Sequence, residues 1–411
     1  MSSPETKNNF CIRPFTSLEI FTRGAVKTCC RITPEKTKFK GKTDFTVKTG
    51  IKYFWNSEYR SFLKQQFLAN ERPEECVDCW RQEDRGSTSH RMLGNEEQKI
   101  IFQNKNTERY LRQLGKWDLK SPEIVTASIT NLCNLKCQMC DGAHSSTLLQ
   151  ENHKLGLEKN IRQKDLTWSD NDKIRTLDES ITEKLKTLYL LGGEPLMVPE
   201  ILELLEKVSM DKDVTDNIEL NIVTNATICN DKIINLLGKF KKVKLVLSID
   251  STGKCNEYIR FPSKWSTIES NVLKFKSLEN ITLYINSVVQ NINLLNLQDN
   301  INFAYEHGIH LNFSILDRPE YLQFDNLPKT LLQLALNRLS KIEDKKLIHT
   351  TNCKNFVDIL SQKVSKDHTV DINNYDKFKS MIQMRDTHRK INIKDYIPEL
   401  GKAIEKKSKY F

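Results

Sequence analysis

No apolar run in the 411 residues approaches the roughly 18 that a membrane helix needs. The N-terminus, MSSPETKNN, is polar and lacks the apolar h-region of a secretory signal. There is no P-loop, and the eight histidines are scattered with no H-E-x-x-H spacing. No Ser-His-Asp arrangement is visible either, so neither triad nor zinc-type hydrolysis is indicated. Hydrophobic residues make up 38% of the chain, and the mean hydropathy is −0.53. These values fit a soluble chain long enough for two or three domains, each with its own core. A cytoplasmic location with no membrane partner is the expectation.

What is abundant is cysteine, with eleven in all. Without an export signal, cysteines at metal-like spacings point to ligands in a reducing compartment rather than to disulfides. Cys133, Cys137 and Cys140 form C-x3-C-x2-C in ITNLCNLKCQMCDGAHSS. Three thiolates from one loop are one fewer than the four that usually hold an iron–sulfur cluster, which leaves one iron open. A closed zinc site with His144 as fourth ligand is the alternative. The run KTLYLL then ends in Gly192, Gly193, Glu194 and Pro195. Glycines at a strand end let backbone approach a ligand without a Cβ in the way.

The net charge of +10 comes with 28% charged residues of both signs. That balance gives weak support to nucleic-acid binding. Concentrated charge occurs at Lys36, Lys38, Lys40 and Lys42, an alternation suited to the solvent face or edge of a strand.

From 122 to 316, β-rich runs alternate with helical ones. Strands are expected at 124–130, 187–191, 218–224, 243–250, 281–289 and 309–316. Amphipathic helices are expected at 198–210 and 231–240, with a further one at 330–343 in a mostly helical tail. Strands alternating with helices give βαβ units, an α/β fold and a parallel sheet. Polar residues gather where these strands end: Thr224, Asn225 and Thr227, Ser248 and Asp250, then Gln290, Asn291 and Asn293. In α/β barrels the chemistry sits at those ends. Cys353 stands alone in the tail and is expected to be a buried or idle thiol. The terminal KAIEKKSKYF is expected to be a basic, frayed end.

The C-x3-C-x2-C loop followed by GGEP resembles the radical S-adenosylmethionine (SAM) enzymes. The resemblance implies a partial (βα)6 TIM-like barrel over 121–320, a [4Fe–4S] cluster on Cys133, Cys137 and Cys140, and SAM chelated at the open iron. It also implies reductive cleavage of SAM to a 5′-deoxyadenosyl radical that abstracts hydrogen from a substrate. By position, Gly192, Gly193 and Glu194 would contact the SAM amino group. Asn225, Ser248 and Asp250 would face ribose and methionine, and Arg260 would pair the SAM carboxylate. Met139 and the strand around Ser314 would lie by the adenine. A reductant protein such as flavodoxin or ferredoxin is the implied electron donor.

Ahead of that core, Cys11, Gly24 and Cys29 spell C-x12-G-x4-C, and Cys76 with Cys79 forms C-x2-C. The glycine suits a tight hairpin turn. Four such thiolates resemble the twitch or SPASM-like auxiliary-cluster domain, placed here at 1–120, ahead of the barrel. Structural zinc is the alternative, and spacing leaves Cys29 and Cys30 both open as the ligand. An auxiliary cluster points to oxidative modification of a peptide or protein side chain. A nucleoside, nucleotide or RNA substrate is the second expectation, and a non-catalytic iron–sulfur or zinc protein the third. The remaining segment, 321–411, contains MRDTHRKINIKDYIPEL, similar to a closing segment of related proteins but without an assignable role.

Overall fold

The computed structural model describes residues 9–84, 88–101, 119–166, 170–365 and 368–405. The end of the basic tail, from 406 on, lies outside them. Two compact units emerge: 1–131 with 162–221 and 239–241, and 132–161 with 222–238 and 242–411. This is not the expected division at 120 and 320.

In the first unit the strand order is β2–β1–β3–β4, with β1 Ser17–Ile20, β2 Val26–Lys27, β3 Ile124–Ser128 and β4 Thr187–Leu191. β3 runs parallel to both β1 and β4, whereas β2 returns antiparallel to β1. Val125, Ala127, Leu188 and Leu190 are almost fully buried, as parallel strands covered on both faces require. β5, Glu219–Thr224, spans the boundary between the units. The second unit carries the order β6–β7–β8–β9, formed by Lys242–Ser248, Ile281–Val289, His310–Ile315 and Thr350–Thr351, with every pair parallel.

Six of these strands fall where the hydrophobic pattern places them, and the fold is α/β with a mostly parallel sheet. β1 and β2 form the hairpin that the glycine spacing implied, but the pairing of β1 with β3 and the strand β9 were not anticipated. Ser17 pairs with Ile124 and Ile20 with Ala127, so the N-terminal cysteine segment shares a sheet with β3 and is not set apart from it. The stretch of Lys36, Lys38, Lys40 and Lys42, whose alternation suits a strand, forms no strand: Lys36 closes the 3-10 turn Pro34–Lys36 and the rest is irregular. Lys38 instead pairs with Glu74 at 2.9 Å, and Lys42 lies over the rings of Phe45 and Tyr53.

Gly24 turns the β1–β2 hairpin at φ 78°, donating its N–H to the Phe21 carbonyl. That is the role the C-x12-G-x4-C spacing assigns it. Gly192 is different. It has φ 130°, and a Cβ there would stand 2.8 Å from the Thr130 carbonyl oxygen and 2.9 Å from Ser128 Oγ. Close packing on the end of β3 therefore demands glycine at this position, before any ligand is considered.

In the second unit one helix governs the cysteine loop. Ile372–Arg389 starts at Asp371, whose carboxylate accepts from Asn374 N–H, and ends where Lys390 turns left-handed. It buries Tyr375, Phe378 and Ile382, and one turn later Arg385, Asp386 and Arg389. The Arg389 guanidinium stands 2.6 Å from Glu151 and donates to the Lys136 carbonyl at 2.8 Å. Arg385 donates to the Gln138 carbonyl at 2.8 Å. Asp386 accepts from Tyr258 Oη and from the Ile393 N–H, both at 2.7 Å. The segment MRDTHRK thus has a structural role that its sequence did not reveal.

Two outcomes follow. Arg389→Met leaves the buried Glu151 carboxylate with only Lys136 Nζ, 3.5 Å away, as an ion-pair partner, which should cost about 3 kcal/mol. Burial pushes the Glu151 carboxyl up, but Arg389 and then Lys136 hold it net below its ordinary value. A depressed carboxylate adds stability above its unfolded pKa and loses it as pH falls through the folded one. Denaturant titrations on the acid side should therefore find a steeper loss in the native chain than in Arg389→Met. Separately, Gly192→Ala should cost about 1–3 kcal/mol from backbone strain alone, measured as a lowered Tm without SAM present.

Candidate functional site

Cys133, Cys137 and Cys140 lie on the loop that follows β3. Cys133 and Cys137 are buried with Leu135, while Met139 and Cys140 pack against them half-exposed. No disulfide joins them. The peptides on either side of Cys137 are held at both ends. Lys136 N–H donates to the Phe261 carbonyl at 2.6 Å and Gln138 N–H to the Ile259 carbonyl at 2.8 Å, while their own carbonyls take Arg389 and Arg385. Ser145 and Thr147 both donate to the Leu135 carbonyl, at 2.6 and 2.9 Å. Ser145 also accepts from Leu148 N–H, capping the helix Ser146–Lys154. The loop is thereby fixed before any cofactor binds.

Burial pushes the thiols of Cys137 and Cys140 up. A buried thiol ionises when a cation or metal compensates its charge. One such charge is present. Arg260 Nη1 lies 3.8 Å from Cys137 Sγ, and its Nε lies 2.8 Å from Asp250 Oδ2. Asp250 is fully buried and accepts from Val288 N–H at 2.9 Å. Arg260 and Asp250, assigned by resemblance to separate parts of SAM, are thus ion-paired with each other beside a cysteine ligand.

Asn225 Nδ2 lies 4.0 Å from Cys133 Sγ and 2.9 Å from Asn134 Oδ1. Its own oxygen accepts from the N–H and hydroxyl of Thr227. Ser248 ends β6 and is half-buried. Ser314 donates to Asn286 Oδ1 at 2.9 Å and accepts from Asn312 Nδ2 at 3.0 Å, forming a polar ladder across β7 and β8. Gln290, just past β7, is fully buried with neither amide atom hydrogen-bonded. Asn293, also past β7, donates to the Asp250 carbonyl at 2.8 Å. His144 is exposed, with Nδ1 2.8 Å from Asp141 Oδ1, so the alternative zinc ligand is engaged elsewhere.

Met139 and Cys140 open onto a cavity of about 770 Å³ that also meets Asp141, Arg318, Tyr321 and Arg385. Arg385 Nε is buried there without a hydrogen-bond partner. The donor set fits a cluster with an open position: three thiols on one rigid loop, a guanidinium at hand and a cavity beside the half-exposed thiol.

Gly192, Gly193 and Glu194 belong to the first unit. Gly193 N–H donates to the Thr130 carbonyl at 3.2 Å, and the buried Glu194 carboxylate accepts from Leu196 N–H at 3.1 Å.

The N-terminal cysteines also converge. Cys11, Cys29, Cys76 and Cys79 line one small cavity of about 20 Å³, together with Arg13, Arg31 and Arg91. Burial raises the thiols of Cys76 and Cys79, and that of Cys11 to about 11. Between the two cysteines that spacing left open, it is Cys29 that lines this cavity. Cys30 turns to His90, with Sγ 3.5 Å from Nε2. His90, Arg385 and Arg389 were not singled out from the sequence. The two arginines lay in a segment noted only as similar to others, and His90 had no spacing to mark it.

Residues 127–302 match the Radical SAM superfamily. GTP 3′,8-cyclase of Clostridium perfringens (strain SM101 / Type A) is 26% identical over 197 residues, covering 45% of this chain and 53% of that protein. An uncharacterised protein of Methanocaldococcus jannaschii is 29% identical over 196 residues, covering 46% and 60%. The chain thus spans little more than half the length of these relatives. Among solved structures, Streptococcus suis SuiB bound to precursor peptide SuiA is 17% identical, covering 93% of this chain and 73% of that one with a TM-score of 0.36. Native anSMEcpe with bound AdoMet is 19% identical, covering 63% and 66% with a TM-score of 0.38. The family match opens within the strand that delivers the cysteine loop and runs past Asp250, Arg260 and Gln290. Over residues 127–302, less than half of its length, the chain is similar to the radical SAM superfamily.

Proposed function

We propose that the chain is a radical SAM enzyme that oxidises a peptide or protein side chain, with the N-terminal cysteines holding an auxiliary iron–sulfur cluster of the twitch type. When bound, a [4Fe–4S] cluster on Cys133, Cys137 and Cys140 with SAM supplies reductive cleavage to a 5′-deoxyadenosyl radical that removes hydrogen from substrate. The residues supply the rest. Arg385 and Arg389 fix the loop, and Arg260, aligned by Asp250, supports negative charge on Cys137. Arg260 keeps further N–H donors beyond these two contacts for a carboxylate. Met139 offers an apolar wall at the cavity mouth; a bound nucleoside would meet Ser314 at its remaining acceptor lone pair and would reach Asn225 only by exchanging the bonds to Asn134 and Thr227.

The observation that carries the peptide reading is the charge balance of the 770 Å³ cavity. Arg318, Lys377 and Arg385 are matched there by Asp141, Glu158 and Glu320. A polypeptide segment with both signs suits such walls, whereas a triphosphate favours a surplus of cations. The second reading, a nucleotide substrate, draws on the likeness to a GTP 3′,8-cyclase and on the net charge of +10.

Reduced, reconstituted chain should form 5′-deoxyadenosine from SAM, and Cys133→Ala should abolish it while the N-terminal metal is retained. Cys76→Ala should still cleave SAM but yield no oxidised product. For the substrate, 5′-deoxyadenosine release is compared with a random-sequence peptide library and with GTP. Stimulation by peptides, with loss of two hydrogen masses from one of them, supports the first reading. Stimulation by GTP alone replaces it with the second.

A further inference from the structure

We propose that Cys30, His90 and Glu19, with Cys29 at the fourth position, form a site for a single zinc-class divalent ion. The inference stands on the first unit alone and does not depend on the radical chemistry; what fills the four-cysteine cavity decides only whether Cys29 or solvent takes the fourth position.

One ligand atom from each of these residues lies within 4.8 Å of every other. Zn–S and Zn–N bonds of about 2.3 and 2.0 Å at a tetrahedral angle put sulfur and nitrogen about 3.5 Å apart. Cys30 Sγ and His90 Nε2 are 3.5 Å apart. Two thiolates, an imidazole and a carboxylate are a borderline-soft N/O/S set that suits zinc over calcium or magnesium.

The ligands come from ordered elements. Glu19 is buried on β1, and Cys29 and Cys30 follow the β1–β2 hairpin. His90 opens the helix His90–Ile101, next to Ser89, whose hydroxyl accepts from Met92 N–H. Arg13 Nη1 stands 3.6 Å from Glu19 Oε1, and a carboxylate has a second oxygen to give an ion. Cys30 is exposed and His90 half-exposed, which provides the entry path that a loadable site needs. Cys29 is common to this set and to the cavity lined by Cys11, Cys76 and Cys79. If an iron–sulfur cluster takes Cys29, three ligands remain and solvent completes a four-coordinate ion.

The test uses full-length reconstituted chain, stripped of loose metal and titrated with cobalt(II) as the probe, then displaced by zinc. One cobalt should bind with thiolate-to-metal charge-transfer absorption, and zinc should displace it. Cys30→Ser and His90→Ala should each weaken cobalt binding by at least the roughly 10–100-fold that even outer-shell partners cost. Both positions are solvent-accessible, so far-ultraviolet circular dichroism should be unchanged. Two variants guard against a local folding defect in either. Cys76→Ser, outside the set, should bind cobalt as the native chain does. Undiminished binding in both Cys30→Ser and His90→Ala would overturn the proposal. So would loss of binding in Cys76→Ser, because the ion would then sit in the four-cysteine cavity.

Discussion

The cysteine loop of the second unit is anchored through a buried ion pair, Arg389 with Glu151. Its side chains are 1% and 0% exposed, so neither charge gains much from water. The pair by itself is a doubtful source of stability, since desolvating both ions cancels most of their attraction. What it secures is geometry. The same guanidinium that answers Glu151 donates to the Lys136 carbonyl and lies over the Phe261 ring at 5.0 Å. Phe261 in turn accepts from Lys136 N–H. With Arg385 on Gln138, the backbone N–H and carbonyl of both residues flanking Cys137 are engaged. A loop so restrained presents its thiols in one arrangement, and preorganisation of that kind is what a cofactor site requires.

A second buried pair performs a related task. Asp250 with Arg260 places positive charge 3.8 Å from Cys137 Sγ. A cluster bound by three thiolates is an anionic object in a low-dielectric setting, and a fixed guanidinium beside one ligand offsets that charge. Asp250 then serves as the anchor that aims Arg260, held by Val288 N–H and by full burial.

Much of this was legible in the sequence. Strand positions followed from apolar runs, because parallel strands buried on both faces leave a continuous signal. The cysteine loop and Gly24 were legible because their chemistry fixes residue type and spacing locally. The rest depends on contacts far apart in the chain. Arg389 meets Glu151 across 238 residues and Arg385 meets Gln138 across 247, and no local pattern reports such pairs. β1 is only four residues long and pairs with a strand beginning at Ile124, so its place in the sheet was invisible. Gly192 was read as space for a ligand, and close packing on Ser128 and Thr130 adds a second demand for glycine that the sequence did not show. His90 carries no motif, and spacing left its partner Cys30 open beside Cys29 as a thiol of the four-cysteine set.

The central claim is that three clamped thiols hold a cluster with one iron open to SAM. The most direct measurement is electron paramagnetic resonance of the dithionite-reduced chain, with and without SAM, in a Cys76→Ala background that simplifies the N-terminal contribution. The account expects a reduced [4Fe–4S] signal whose g-values shift when SAM is added. The signal should be absent when Cys133, Cys137 and Cys140 are replaced by alanine. A signal indifferent to SAM, or one that survives the triple replacement, would contradict it.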